Sequence, residues 1–91
     1  MNRSDFVKAV AAEKGISSRQ AYQSVDAVVD TIRLLLANGE IIEIGGFGTF
    51  EVLTDLRGVH IPTFKGGKTL KRVLNTPVDE NESVGVRNNE S

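Results

Sequence analysis

Residues Glu40 to Val52 read EIIEIGGFGTFEV, and the fold turns on how that stretch is parsed. Ile42 and Ile44 alternate with Glu43, the period of two expected of a half-buried strand, and Thr49 to Val52 resume a strand pattern beyond the glycines. Gly45 and Gly46 mark the reversal, because glycine reaches positive φ without a Cβ clash. Gly48, set between Phe47 and Phe50, predicts a bulge or a close backbone approach. Two phenylalanines this near a turn need an apolar core, and the flanking segments must supply its walls.

Upstream, Asn2 predicts a helix cap with Asp5 placed to reciprocate, Ser4 being the alternative cap, and Phe6, Val7, Val10 and Ala11 fall on one face before Gly15 ends the helix. Ser17 and Gln20 open a second, longer helix whose stripe of Ala21, Val25, Val28, Val29, Ile32, Leu35 and Leu36 runs on toward Gly39. That stripe is wider than the first helix can cover, which leaves aliphatic surface for a sheet and for a second copy of the chain. Downstream, Leu53 to His60 is short and polar and contains Asp55, Arg57 and Gly58, the composition of a compact turn. Val59 to Phe64 predicts a third strand, at an edge or an end because Pro62 cannot donate to a ladder. GKTLKRVL, from Gly67 to Leu74, predicts a short amphipathic helix. The fold class is therefore α+β over residues 1–75: two N-terminal helices, a three-stranded antiparallel sheet and a short C-terminal helix. Beyond Asn75, Pro77 and a polar, acidic composition predict a disordered tail over 76–91.

A chain of 91 residues is one domain and buries a modest share of its surface, so a dimer would relieve its marginal stability. It has no cysteine and a single histidine, His60, which leaves no thiolate site and no histidine cluster; no metal and no cofactor are expected. No apolar run approaches the length of a membrane span and the polar N-terminus does not resemble a signal peptide, so a cytoplasmic protein is expected. The formal net charge of −1 argues weakly against a nucleic-acid partner. The total hides a split, since Asp79, Glu80, Glu82 and Glu90 oppose Arg87 alone in the tail, a net of −3, and leave +2 on the remainder. Catalytic patterns are wanting. No serine or threonine has a histidine base in a recognisable elbow, GGFG lacks the lysine of a phosphate-binding loop, and GGKT at Gly66 to Thr69 lacks that loop's earlier glycine. The chain is not expected to be an enzyme.

Two helices, then strands around GFGTFEV, then IPTFKGGKTLK leading into a short basic helix, in this order and spacing, resemble the bacterial histone-like HU and integration host factor family. The similarity covers roughly residues 1–75. It implies an intertwined homodimer, or a heterodimer with another HU-like subunit, whose helices form a base and whose sheets form a saddle for double-stranded DNA. It also implies that the family's PxFKPGKxLK segment, here Pro62, Phe64, Lys65, Gly66, Gly67, Lys68, Leu70 and Lys71, supplies charge to the phosphate backbone, with Gly66 where the family usually has proline. Phe47 and Phe50 match family positions in the core and dimer interface. One departure is large. Members carry a long basic β-ribbon arm tipped by a wedging proline, and here Leu53 to His60 replaces it, with Arg57 as its only full positive charge and no proline.

Lys65, Lys68, Lys71 and Arg72 form the best candidate site for DNA phosphate, an ordinary solvated face being the bland alternative; Arg57 is the candidate for a vestigial arm contact, with a simple turn arginine as its alternative. Arg3, Lys8, Lys14 and Arg19 read as solvated helix positions, and Asp26 and Asp30, one helical turn apart, as solvent-facing carboxylates. Val29, Ile32, Leu36, Ile44, Phe47 and Phe50 are assigned to the core and dimer interface. The resulting expectation is a nonspecific, nucleoid-associated architectural protein that condenses DNA as a dimer and bends it less than arm-bearing relatives. The competing expectation is a regulatory HU-like protein that binds DNA poorly and acts by heterodimerisation or partner titration.

Overall fold

The computed structural model describes residues 1–76. The elements follow in the order α1 (Arg3–Lys14), α2 (Ser18–Ala37), β1 (Ile42–Ile44), β2 (Gly48–Thr54), β3 (His60–Gly66) and α3 (Lys68–Asn75). The tail expected over 76–91 lies, from Pro77 onward, outside the described residues.

Both long helices begin as their sequences predict. Asn2 Oδ1 accepts from the Asp5 amide at 2.9 Å while the Asn2 amide donates to the Asp5 carboxylate, and Ser17 with Gln20 repeats the arrangement at the start of α2. Each reciprocal pair satisfies amides that a helix start otherwise leaves without partners. Gly15 ends α1 in the left-handed region at φ 65°, and its amide bonds back to the Ala11 carbonyl. The helices pack through Val7 on one side and Ala21 and Val25 on the other, with Val10, Ala11, Ile16 and Val29 around them.

The sheet is antiparallel in the order β1-β2-β3. Ile44 to Phe47 form the turn between β1 and β2, closed by the Phe47 amide on the Ile44 carbonyl at 3.0 Å, with Gly46 at φ 83° in the third position, where a type II turn requires positive φ. Gly48 then sits directly against β3. A Cβ there would stand 2.5 Å from the Lys65 carbonyl oxygen and 2.6 Å from the Phe64 ring, so the close approach anticipated at this glycine is made by β3 itself. Pro62 lies mid-strand in β3, opposite Val52, and is tolerated because β3 is an edge.

Strand β2 runs further than the sequence reading places it, and β3 is shifted from the expected Val59–Phe64 to His60–Gly66. Pairing continues out to Thr54 opposite His60, whose Oγ1 and Nδ1 lie 3.0 Å apart, so the turn shrinks from Leu53–His60 to the five residues Asp55 to Val59. Period-two alternation carries Leu53 into the ladder, where it faces Ile61.

Alternation gives the sheet two unlike faces. Val52, Thr54, His60 and Pro62 line an open groove of about 520 Å³ with Arg33, Leu36 and Ala37 of α2, and Ile42 and Ile44 line a second groove of about 340 Å³ with Val28, Ile32 and Leu35. Phe50 and Phe64 share this inward face, with ring centroids 4.8 Å apart, and Phe47 joins them at 5.0 Å from Phe64. The phenylalanine cluster forms, but one chain does not bury it. Phe47 is 43% and Phe64 40% exposed, and Val7, Ala21 and Val25 are the only buried hydrophobic residues among those described. Val29, Ile32 and Leu36 are half-buried, whereas Ile44 is exposed.

Because Gly48 is hemmed in by backbone as well as by a ring, Gly48→Ala is expected to cost about 1–3 kcal/mol, the typical penalty of overpacking. Gly45→Ala, with nothing within 4 Å of its Cβ position, is expected to be near neutral. Urea unfolding of both variants followed by circular dichroism checks the contrast, and equal midpoints would contradict the packing argument.

Candidate nucleic-acid interface

Helix α3 starts where the sheet ends. The Gly67 amide donates to the Phe47 carbonyl at 2.9 Å, tying the start of the helix to the turn between β1 and β2, and no side chain caps the first turn. From there the sequence KTLKRVLN divides cleanly at about 100° per residue, with Lys68, Lys71 and Arg72 within an arc of about 100° and Leu70, Val73 and Leu74 on the opposite side. Among the described residues, no carboxylate lies within ion-pair distance of these three cations. They are exposed, and their charge is available to an external anion.

The other two candidate cations are differently placed. Lys65 lies on the outward face of the sheet, in the row Glu43–Thr49–Lys65, and its Nζ is 2.9 Å from the carboxylate of Glu51 on the neighbouring strand. Among the described strand residues this outward face also carries Leu53 and Ile61, so its charge is Glu43 and Glu51 against Lys65. Arg57 reaches Asp55 at 3.2 Å. The structure thus brings Lys68, Lys71 and Arg72 together, keeps Lys65 nearby in chain but paired, and places Arg57 at the far end of the β2–β3 hairpin. Arg3 bonds Asp26 at 2.6 Å across α1 and α2, and Arg33 bonds Asp30 at 2.7 Å, so both helix carboxylates that read as solvent-facing have arginine partners.

The hairpin tip is built around one side chain. Asp55 Oδ1 accepts from the amides of Arg57 at 2.8 Å and Val59 at 2.9 Å, the Asp55 amide donates to the Val59 carbonyl, and Gly58 turns at φ 85°. Leu56 projects fully into solvent. The Val59 amide, opposed in part by desolvation and reinforced by the Arg57 amide, the Arg57 side chain and the Gly58 amide, holds the Asp55 carboxyl below its ordinary 3.8.

Sequence reasoning missed Glu51. Its side chain is 18% exposed and its partner is fourteen residues away, a pairing legible only once the register Thr49↔Lys65 and Glu51↔Thr63 is known. Among the described residues, no group of three or more His, Cys, Asp or Glu side chains could hold a metal ion, and no helix is long and apolar enough to cross a membrane.

Comparison with known proteins places this geometry in a family. The family model for bacterial DNA-binding proteins matches residues 1–58. The DNA-binding protein HU of Staphylococcus aureus is 35% identical over 86 residues, covering 78% of this chain and 96% of that protein. Since 78% of 91 residues is about 71, about 15 of those 86 aligned positions have no counterpart here. The structure of HU from Thermotoga maritima matches with a TM-score of 0.67 at 34% identity, over 81% of this chain and 98% of that one. An HU–DNA cocrystal structure from Anabaena shares the fold with a TM-score of 0.70 at 24% identity, over 85% of this chain and all of that one.

A carboxyl held low in the folded state stabilises the fold above its unfolded value, and that contribution disappears as pH falls through the lower folded value. Urea midpoints measured from pH 7 down to pH 3 are therefore expected to fall more steeply below about pH 4 for the native protein than for Asp55→Asn, which keeps an acceptor but cannot titrate. Parallel curves would remove Asp55 from the acid response.

Proposed function

The chain belongs to the HU family of bacterial DNA-binding proteins, and on that premise we propose that it is a nonspecific, architectural DNA-binding protein that grips duplex phosphates as a dimer. One observation carries the reading. Lys68, Lys71 and Arg72 share one face of α3, at a helix start without a side-chain cap, and among the described residues no carboxylate neutralises them. Helix-start amides and flexible cations are suited to phosphate oxygens and carry no means of reading bases. The affinity then comes from counterion release and falls steeply with salt.

Dimerisation follows from what one chain leaves open. Phe47 and Phe64 of the phenylalanine cluster, Val28 and Leu34 on α2, and Val73 and Leu74 on α3 are all substantially exposed. Burying each such side chain stabilises by about 1.5–3 kcal/mol, and a second copy supplies matching apolar surface at no further cost in sequence. A homodimer is the simplest assembly, with an HU-like subunit as the other possible partner. Two copies of α3 then present six cations to one duplex, and the protein works on the nucleoid in the cytoplasm.

Bending is expected to be weak. The turn between β2 and β3 is five residues long, contains no proline, and pairs its single arginine with Asp55. The family-model match ends at Gly58, within that turn, which supports placing the missing aligned positions there. A kink requires a side chain driven between base pairs from an arm that reaches the groove, and a turn this short has no such reach.

Fluorescence anisotropy on a labelled duplex across a salt series tests the grip. With about six phosphates neutralised per dimer, log K should fall against log salt with a slope of roughly −5. The combined variant Lys68→Ala, Lys71→Ala, Arg72→Ala should lose most of the affinity and most of the slope. Absence of binding at low salt would overturn the DNA reading and favour the regulatory one, in which a heterodimer or a protein partner is the target.

The dimer has its own test. The thermal midpoint should rise with protein concentration and sedimentation equilibrium should return twice the chain mass. A concentration-independent midpoint with the mass of one chain would exclude the assembly.

A further inference from the structure

We infer that Glu51 is an internal competitor for the DNA-binding cation Lys65, an intrastructural counterion that sets how tightly the protein holds phosphate. The inference rests on the DNA-binding reading above and assigns to one carboxylate a role in tuning it.

The geometry is specific. Glu51 and Lys65 are diagonal neighbours on the outward face of β2 and β3, one row apart in the register, with Oε2 and Nζ at 2.9 Å. The two ends differ in environment. Lys65 has 65% of its side chain in solvent, whereas Glu51 has 18%. A lysine so exposed can swing its ammonium to another anion without losing much packing. The carboxylate it leaves behind is largely removed from water and would stand without its cation, which costs more than parting two fully exposed charges. The pair is therefore held chiefly by the needs of Glu51, and a phosphate that recruits Lys65 must supply what Glu51 loses.

Glu43 separates this from a simple effect of net charge. It lies on the same face, in the same cross-strand row as Lys65 but beyond Thr49, and among the described residues it has no ion-pair partner. Removing the Glu43 charge lowers repulsion of DNA without releasing a lysine. Removing the Glu51 charge does both. The α3 cations need no such release, so the competitor acts on Lys65 alone.

The experiment is a double-mutant cycle on the full chain, with Glu51→Gln, Lys65→Ala, their combination, and Glu43→Gln as the charge control, each titrated against the same duplex across a salt series. Glu51→Gln should tighten binding about two- to fivefold per protomer, the range of a partly exposed ion pair. It should also steepen the salt dependence by about 0.9 per lysine released. The gain should vanish in the Lys65→Ala background, and Glu43→Gln should leave the slope unchanged. Glu51→Asp, one methylene shorter, should fall between the native protein and Glu51→Gln, and serves as the second variant should the amide disturb folding.

A gain equal to that of Glu43→Gln, a gain that persists without Lys65, or no gain at all would each overturn the role of Glu51 while leaving DNA binding by the native protein intact. If neither the native protein nor Glu51→Gln binds at low salt, the DNA reading itself fails and the inference fails with it. Binding by Glu51→Gln where the native protein shows none would support the competitor in its strongest form.

Discussion

The close approach of β3 to Gly48 is the constraint on which the other features depend. With no Cβ in the way, the Lys65 carbonyl and the Phe64 ring come to distances that no other residue would allow, and the register Gly48↔Gly66 follows. A slip of one residue would exchange the two faces of β3. Phe64 would leave Phe50 and Phe47, Lys65 would turn inward toward them, and the Gly67 amide would no longer meet the Phe47 carbonyl that anchors α3. The apolar inward face, the charged outward face and the starting point of the basic helix are thus consequences of one glycine packed beneath one aromatic ring.

Local chemistry explains which parts of the fold are legible in the sequence. Capping at Asn2 and Ser17 involves residues three apart, and amphipathicity repeats within a turn, so the boundaries of α1 and α2 follow from neighbours in sequence. The turn at Gly45 and Gly46 is equally local. Polar composition alone makes the β2–β3 turn too wide, because its length is decided by cross-strand partners such as Leu53 with Ile61 and Thr54 with His60. The candidate site divides in the same way. Lys68, Lys71 and Arg72 share a helix face that spacing alone reveals. The pairing of Lys65 depends on a register between distant strands, and the resemblance to HU carried the lysine but not its carboxylate.

The phenylalanines show where a sequence reading and a single chain part company. The three rings meet one another, yet Phe47 and Phe64, 43% and 40% exposed, are only half packed. A pattern of apolar residues specifies that a surface must be covered. It does not specify whether the cover comes from the same chain. Here the second helix is long enough to shape two grooves against the sheet and too narrow to fill them. In the proposed dimer a second copy completes that cover and places two identical basic helices on one assembly.

Shortening the hairpin changes the electrostatics as well as the reach. A long basic arm would spread phosphate contacts over many weakly held cations, so the loss of any one would matter little. With five residues between β2 and β3, the tip's one arginine is drawn to Asp55, which the turn needs for its own amides. The outward sheet face holds two carboxylates against one lysine, and the remaining unpaired charge of the candidate site is concentrated in the eight residues of α3. In the proposed phosphate grip, that concentration makes binding sensitive to each neighbouring carboxylate. On a surface with few cations, a single glutamate beside a single lysine removes a sizeable share of the available charge, whereas the same glutamate beneath an arginine-rich arm would be lost in the background field.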